Sequence, residues 1–183
     1  MSSMGSLSRR YARSLFSLAK EENALDKFYQ DTQLLSQLLL TSPEVLKTLG
    51  DDLLDYNGRL AACAEISDKL GLHSLVKNFL LILIKKDRMK IISQILKEFE
   101  VYRDEYLSIV RVNLLQTQVP HQDLIKKVEA LLETKLSKKI IAKGSAKPEM
   151  IGGSIVQVGN ITYDGSIKRE LELLKEKMLR SEV

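Results

Sequence analysis

Two histidines, one cysteine and an adjacent pair of aspartates are the residues of this 183-residue chain best equipped for chemistry. His73 and His121 lie far apart in sequence and each falls beside an expected helix start, so both read as capping or surface residues rather than ligands. Cys63 stands alone, which excludes an intramolecular disulfide and a thiol metal cluster. It reads as a small buried helix residue, and a reducing compartment fits its solitude. Asp51 and Asp52 sit where carboxylates favour a helix N-terminus, and that role suffices to explain them. The chain has no GxxxxGK[ST] phosphate loop, so it does not bind ATP in that way, and neither HExxH nor GxSxG occurs. Asn160-Ile161-Thr162 matches a glycosylation acceptor, a match with meaning only under secretion.

The glycines carry more information. Gly152-Gly153 precede a strand, where paired glycines imply a bulge, a positive φ or a close backbone approach. Asp164-Gly165-Ser166 falls between a strand and a helix, where Asp164 or Ser166 can accept the free N–H groups of the first turn. A phosphate site is the functional reading of such a turn. A capped turn is the simpler one.

The elements that must hold these residues change character along the chain. The first hundred residues read as helix after helix. Ser8 is placed to cap the first, in which Tyr11, Ala12, Leu15, Phe16, Leu18 and Ala19 recur at helical spacing. A second helix is expected over 24–40. Ser42-Pro43 reads as a capping hydroxyl and an N1 proline opening a short helix over 43–49, ended by Gly50. Asp51 or Asp52 is placed to cap a fourth, running to Leu70 and stopped by Gly71. The fifth (about 73–85) is apolar on most of its surface, so it is either central in a bundle or carries a partner-binding face. The sixth covers about 88–105. From Tyr106 onward β-branched residues predict strands at 107–115, 139–143, 155–158 and 160–163, with a turn at Gly159-Asn160. One helix is expected from Pro120 and Asp123 to Leu136, and another from Gly165-Ser166 to about Met178. The fold class is therefore mainly α, a six-helix bundle over 1–105 followed by a small α+β domain over 106–183.

Composition sets further limits. Apolar residues at 44% and charged residues at 28% match folded soluble domains and exclude general disorder. The longest apolar run is the six residues Phe79–Ile84, whereas a spanning helix needs about 20. A membrane role would therefore require a partner. The basic, Ser-rich start lacks the apolar core of a secretory signal and reads as the start of the mature chain. Residues 1–105 balance 15 basic against 15 acidic groups, and residues 106–183 carry 13 against 9, the whole net +4. Lys135, Lys138, Lys139, Lys143 and Lys147 have no acid among them. They could meet nucleic acid or an acidic protein, or guard a solvated strand edge.

The order of these elements resembles the delta subunit family of F-type ATP synthases, which includes the oligomycin-sensitivity-conferring protein. The tail IGGSIVQVGNITYDGSIKRELELLKEKM resembles the family's C-terminal signature of GG strand, V-G turn, Asp-Gly-Ser and Leu-rich helix. RRYARSLFSLAKEENALDKF resembles its first helix, and KNFLLILIKKDRMKIISQILKEFEVY its fifth and sixth, with Arg88 between them. Lys147-Pro148 stands where the family usually has Asp-Pro. The resemblance implies a non-catalytic stator subunit with no cofactor, metal or nucleic acid, peripheral on the cytoplasmic face of a bacterial inner membrane. It implies that residues 1–105 grip the amino-terminal peptides of alpha subunits on the catalytic alpha/beta hexamer. Residues 106–183 would hold the C-terminal part of the peripheral-stalk b subunits. The implied groove lies between the first and fifth helices, at Tyr11, Ala12, Leu15, Leu75, Val76, Phe79 and Leu83. The competing reading is a nucleic-acid-binding or adaptor protein with a basic tail, although the 135–147 stretch lacks the aromatic interleaving of single-strand binders.

Overall fold

The computed structural model describes residues 2–51, 55–159 and 161–181, and the chain divides into two compact units, 1–103 and 104–183. Asp52 and Asn160 lie outside the described residues. The first unit is the expected helical bundle: α1 (Ser2–Glu21), α2 (Leu25–Thr41), α3 (Pro43–Gly50), α4 (Tyr56–Lys69), α5 (Ser74–Lys85), a 3-10 turn at Met89–Ile91, and α6 (Ile92–Tyr106). Small and apolar residues at helical spacing form its core. On α1 these are Ser8, Ala12, Leu15 and Ala19, all at most 1% exposed. Phe28 of α2, Val76, Leu83 and Ile84 of α5, and Ile95 and Phe99 of α6 complete the centre. Burying a side chain of this kind is worth about 1.5–3 kcal/mol each, an upper estimate set by the unfolded reference.

One buried carboxylate joins two of these helices. Asp31 of α2 is fully buried; it pairs with Lys27 Nζ at 2.9 Å and accepts the His73 backbone N–H at 2.7 Å. His73 in turn caps α5, its Nδ1 accepting the Leu75 N–H at 3.3 Å, while its ring packs 5.1 Å from that of Phe28. The start of α5 is thus fixed by α2.

The helix stops follow local rules. Gly71, at φ +62°, ends α4 in a Schellman motif: its N–H donates to the Asp68 carbonyl at 3.1 Å, and Leu72 N–H to the Ser67 carbonyl at 3.0 Å. After α5 the same pair of bonds runs from Asp87 to Ile84 and from Arg88 to Leu83. There an aspartate holds the left-handed position at φ 51°, and Arg59 grips its carboxylate at 3.3 Å. Three expected starts differ. Ser8 is not a cap but lies within α1, and its hydroxyl donates to the Gly5 carbonyl, because the helix begins earlier than the apolar row. Ser42 occupies the N-cap of α3 without a side-chain cap bond; its carbonyl accepts the Val45 N–H instead. The cap of α4 is Asp55, which accepts the Gly58 N–H at 2.8 Å, and Asp51 ends α3. Gly58 therefore sits in the first turn, where a missing Cβ matters little.

The second unit is a four-stranded mixed sheet with two helices: β1 (Ile109–Gln116), α7 (Gln122–Leu136), β2 (Lys139–Ala146), β3 (Gly153–Val158), β4 (Ile161–Ser166) and α8 (Ile167–Ser181). The order is β2-β1-β3-β4; β2 runs parallel to β1, and the other pairings are antiparallel. A parallel pair needs a crossover, which α7 supplies. Val112, Leu114 and Ile140 are buried on the α7 face. The helix lies so close to β2 that a Cβ on Gly144 would fall 2.9 Å from both Ile125 and Pro120.

Each unit has its own buried cluster, so we expect a fragment of residues 1–106, which retains all of α6, to fold alone. Its circular dichroism should be helical with a cooperative melt. A coil spectrum would contradict independent folding.

Candidate functional site

The residues best suited to chemistry are absorbed by the architecture. His73 and His121 are both helix N-caps; His121 Nδ1 lies 3.5 Å from the Asp123 N–H. Cys63 is buried, and desolvation pushes its thiol pKa up, which leaves it an unreactive thiol. No group of three or more His, Cys, Asp or Glu suited to hold a metal occurs among the described residues.

The glycine-rich turns build a tight corner. Gly153 has φ +86°, and a Cβ there would lie 2.3 Å from the Gly165 carbonyl oxygen and 2.9 Å from Ser166 Cα. Gly152 is pressed by Ile167, whose Cδ1 would meet its Cβ at 2.7 Å, and its carbonyl accepts the Ile167 N–H at 3.1 Å. Asp164 Oδ1 accepts the Ser166 N–H at 2.9 Å, and Ser166 Oγ accepts the Arg169 N–H at 3.3 Å. These bonds close the first turn of α8. The hydrogen bonds from Ser166 hold the Asp164 carboxyl below its usual range.

The seven groove residues divide by burial. Ala12, Leu15, Val76 and Leu83 are 0–1% exposed and face the core, and Phe79 is 7% exposed. Tyr11 and Leu75 are half-buried. Tyr11 meets Phe79 edge to face, ring centroids 6.3 Å apart, which joins the side chains of α1 and α5 there. Both rings sit at the margin of the core. On α1 the row continues outward through Leu7, Ser14 and Leu18; on α5 it continues through Leu75, Asn78 and Ile82, which is 49% exposed. Reading α1 as i, i+4, i+7, i+11 from Leu7 isolates this outer row, whereas apolar spacing alone mixes it with the core row.

The second unit carries a further open apolar face. Along α8, Ile167, Leu171 and Leu174 are 42–56% exposed, and Met178 follows one turn on at 70%. Their 4-3-4 spacing is that of a seam prepared for another helix. The two sheet edges differ. On β2, the Ile140 and Ala142 N–H groups donate to Glu133 and Glu129 at 3.2 and 2.8 Å, and Lys139 and Lys143 are exposed. The lysine stretch thus flanks a blocked edge. On β4, Ile161 and Tyr163 are about 60% exposed, at 58% and 61%.

Comparison with known proteins matches one family along nearly the whole chain. The family model described as ATP synthase delta (OSCP) subunit matches residues 7–178. A protein named ATP synthase subunit delta from Desulforapulum autotrophicum is 29% identical over 177 residues, 97% of each chain. A protein of the same name from Lactobacillus johnsonii is 27% identical over 176 residues, 96% of each. A chain of the Toxoplasma gondii mitochondrial ATP synthase hexamer, solved by cryo-EM, has the same fold, with a TM-score of 0.76. It is 21% identical and covers 94% of this chain and 97% of its own.

Gly153→Ala should destabilise the second unit by about 2 kcal/mol or more, because backbone on both sides blocks the Cβ and the φ is positive. An unchanged denaturant midpoint would contradict this. The Asp164 bond makes a pH-dependent contribution. Its folded pKa lies below the unfolded value of about 3.9, so that contribution is complete above this value and is lost as pH falls through the folded pKa. In an NMR titration the Asp164 carboxyl should change state below that of an unfolded reference peptide; titration at or above it would refute the assignment.

Proposed function

The chain belongs to the ATP synthase delta (OSCP) subunit family, and from that premise we propose how its two units join the catalytic head to the peripheral stalk. It is a non-catalytic stator subunit of an F-type ATP synthase. Its association with the membrane is peripheral: no described helix is long and apolar enough to cross a bilayer. In such a machine the central stalk drags on the catalytic hexamer as it turns. A static tie must hold the hexamer still if torque is to become ATP, and a tie needs docking faces rather than an active site.

In our reading the first unit grips the amino-terminal peptides of alpha subunits, and through them the alpha/beta hexamer. The observation that carries it is the outer apolar row on either side of the Tyr11–Phe79 contact. Tyr11, Leu75 and the rim of Phe79 form its inner margin. Ala12, Leu15, Val76 and Leu83 act from the core, by keeping α1 and α5 at the spacing a bound helix needs. The second unit takes the C-terminal part of the b subunits, and the exposed seam of α8 supports that assignment. The working position is the cytoplasmic face of a bacterial inner membrane.

Ile82 separates docking from folding, because half of it is exposed in the free chain. Ile82→Asp should weaken binding of a synthetic alpha amino-terminal peptide at least tenfold, about 1.4 kcal/mol, without shifting the melting temperature. Tyr11→Ala should do the same with a small stability loss, while Phe79→Asp should unfold the bundle by placing an unpaired charge at its core. Leu174→Asp should spare the peptide and abolish capture of the b subunits. Unchanged peptide affinity in a folded Ile82→Asp protein would place the head contact elsewhere.

A further inference from the structure

The two helices that form the α1–α5 face are almost free of carboxylates. Helix α1 carries no carboxylate before its last residue, Glu21, and α5 carries none at all. Against this stand Arg10, which borders the outer row of α1 beside Leu7 and Ser14, and Lys85 and Lys86 at the C-terminal end of α5. All three are exposed, and none has an ion-pair partner among the described residues. Of the cations near α5, Lys77 pairs with Asp68 at 2.6 Å and Arg59 with Asp87 at 3.3 Å. The nearest acids in sequence are Glu21 and Glu22, beyond the last turn of the α1 row, and Asp87, which Arg59 holds. An apolar strip edged by unpaired cations attracts a ligand with the inverse pattern.

We propose that the face between α1 and α5 takes an amphipathic helix whose apolar stripe is edged by carboxylates, paired with Arg10 on one side and with Lys85 and Lys86 on the other. The inference rests on the docking reading above and adds the chemistry of the occupant. Apolar contacts with Tyr11, Leu75 and Ile82 supply most of the affinity. The cations select among amphipathic helices, favouring those whose stripe has an acidic flank on each edge. Exposed ion pairs are individually weak, at most about fivefold each, so three together should give about ten- to thirtyfold discrimination. Screening should erase most of it at high salt.

The test uses the full chain and two synthetic helical peptides with identical leucine stripes, one flanked by glutamate and one by lysine. Binding is read by fluorescence anisotropy at low and high salt. The glutamate peptide should bind at least tenfold more tightly at low salt, and the gap should close at high salt. The variant Arg10→Glu/Lys85→Glu/Lys86→Glu, changed only at exposed positions and checked by its melting temperature, should reverse the preference. Equal, salt-independent binding of both peptides would overturn the electrostatic inference and leave apolar docking intact. So would an unreversed preference in the charge-swapped variant. Binding of neither peptide would overturn both the inference and the docking face on which it rests.

Discussion

Helix α5 has more apolar surface than one bundle can cover. Val76, Phe79, Leu80, Leu83 and Ile84 face inward, and the same helix still presents Ile82 outward, with Leu75 half-buried at the margin. A helix presents only one stripe to a core, so the excess must meet either water or another protein. The Tyr11–Phe79 contact is where the two duties meet: its rings close the edge of the core and begin the outer face. The rest of the bundle serves this arrangement. Asp31 and the His73 cap fix where α5 starts, and the Asp87 turn held by Arg59 fixes where it stops. A tie that transmits force is served by a face whose backing cannot shift, and close-packed interiors with fixed helix ends provide that rigidity.

The second unit solves a different problem with small means. A four-stranded sheet has two open edges, and exposed edges invite unwanted pairing. Here β2 is blocked by the carboxylates of Glu129 and Glu133 and flanked by lysines. At the other side, the Gly153 corner and the Asp164–Ser166 bonds end β4 and launch α8 within a single residue. The direction of α8, and with it the aim of its apolar seam, depends on that corner.

Much of this was legible in the sequence, because helix and strand periods and the glycine stops are local signals. The Schellman stop at Gly71, the two histidine caps and the tight approach at Gly153 follow from residue type and position. The family signature was legible for the same reason, since it consists of turns and caps. What was not legible depends on neighbours distant in sequence. In DDLLD the cap was expected at Asp51 or Asp52, and it is Asp55 that takes it, because α4 begins later than its apolar residues suggest. Ser8 resembles a cap because its helix begins before the apolar row does. Gly144 gives no local sign that α7 will press upon it. Apolar spacing on α1 and α5 could not separate the core row of Ala12, Leu15, Val76 and Leu83 from the outer row of Leu7, Leu18 and Ile82, because both obey one period and differ only in what they face.

A mechanical role predicts that the chain changes coupling without changing chemistry. The most direct test uses membranes carrying the ATP synthase from which this subunit has been stripped. Hydrolysis by the head and ATP-driven proton pumping are measured together as the purified chain is added back. Pumping should recover saturably as the chain is added, while the hydrolysis rate of the head stays the same. Pumping that is already complete without the chain, or an added chain that alters hydrolysis and leaves pumping uncoupled, would contradict it.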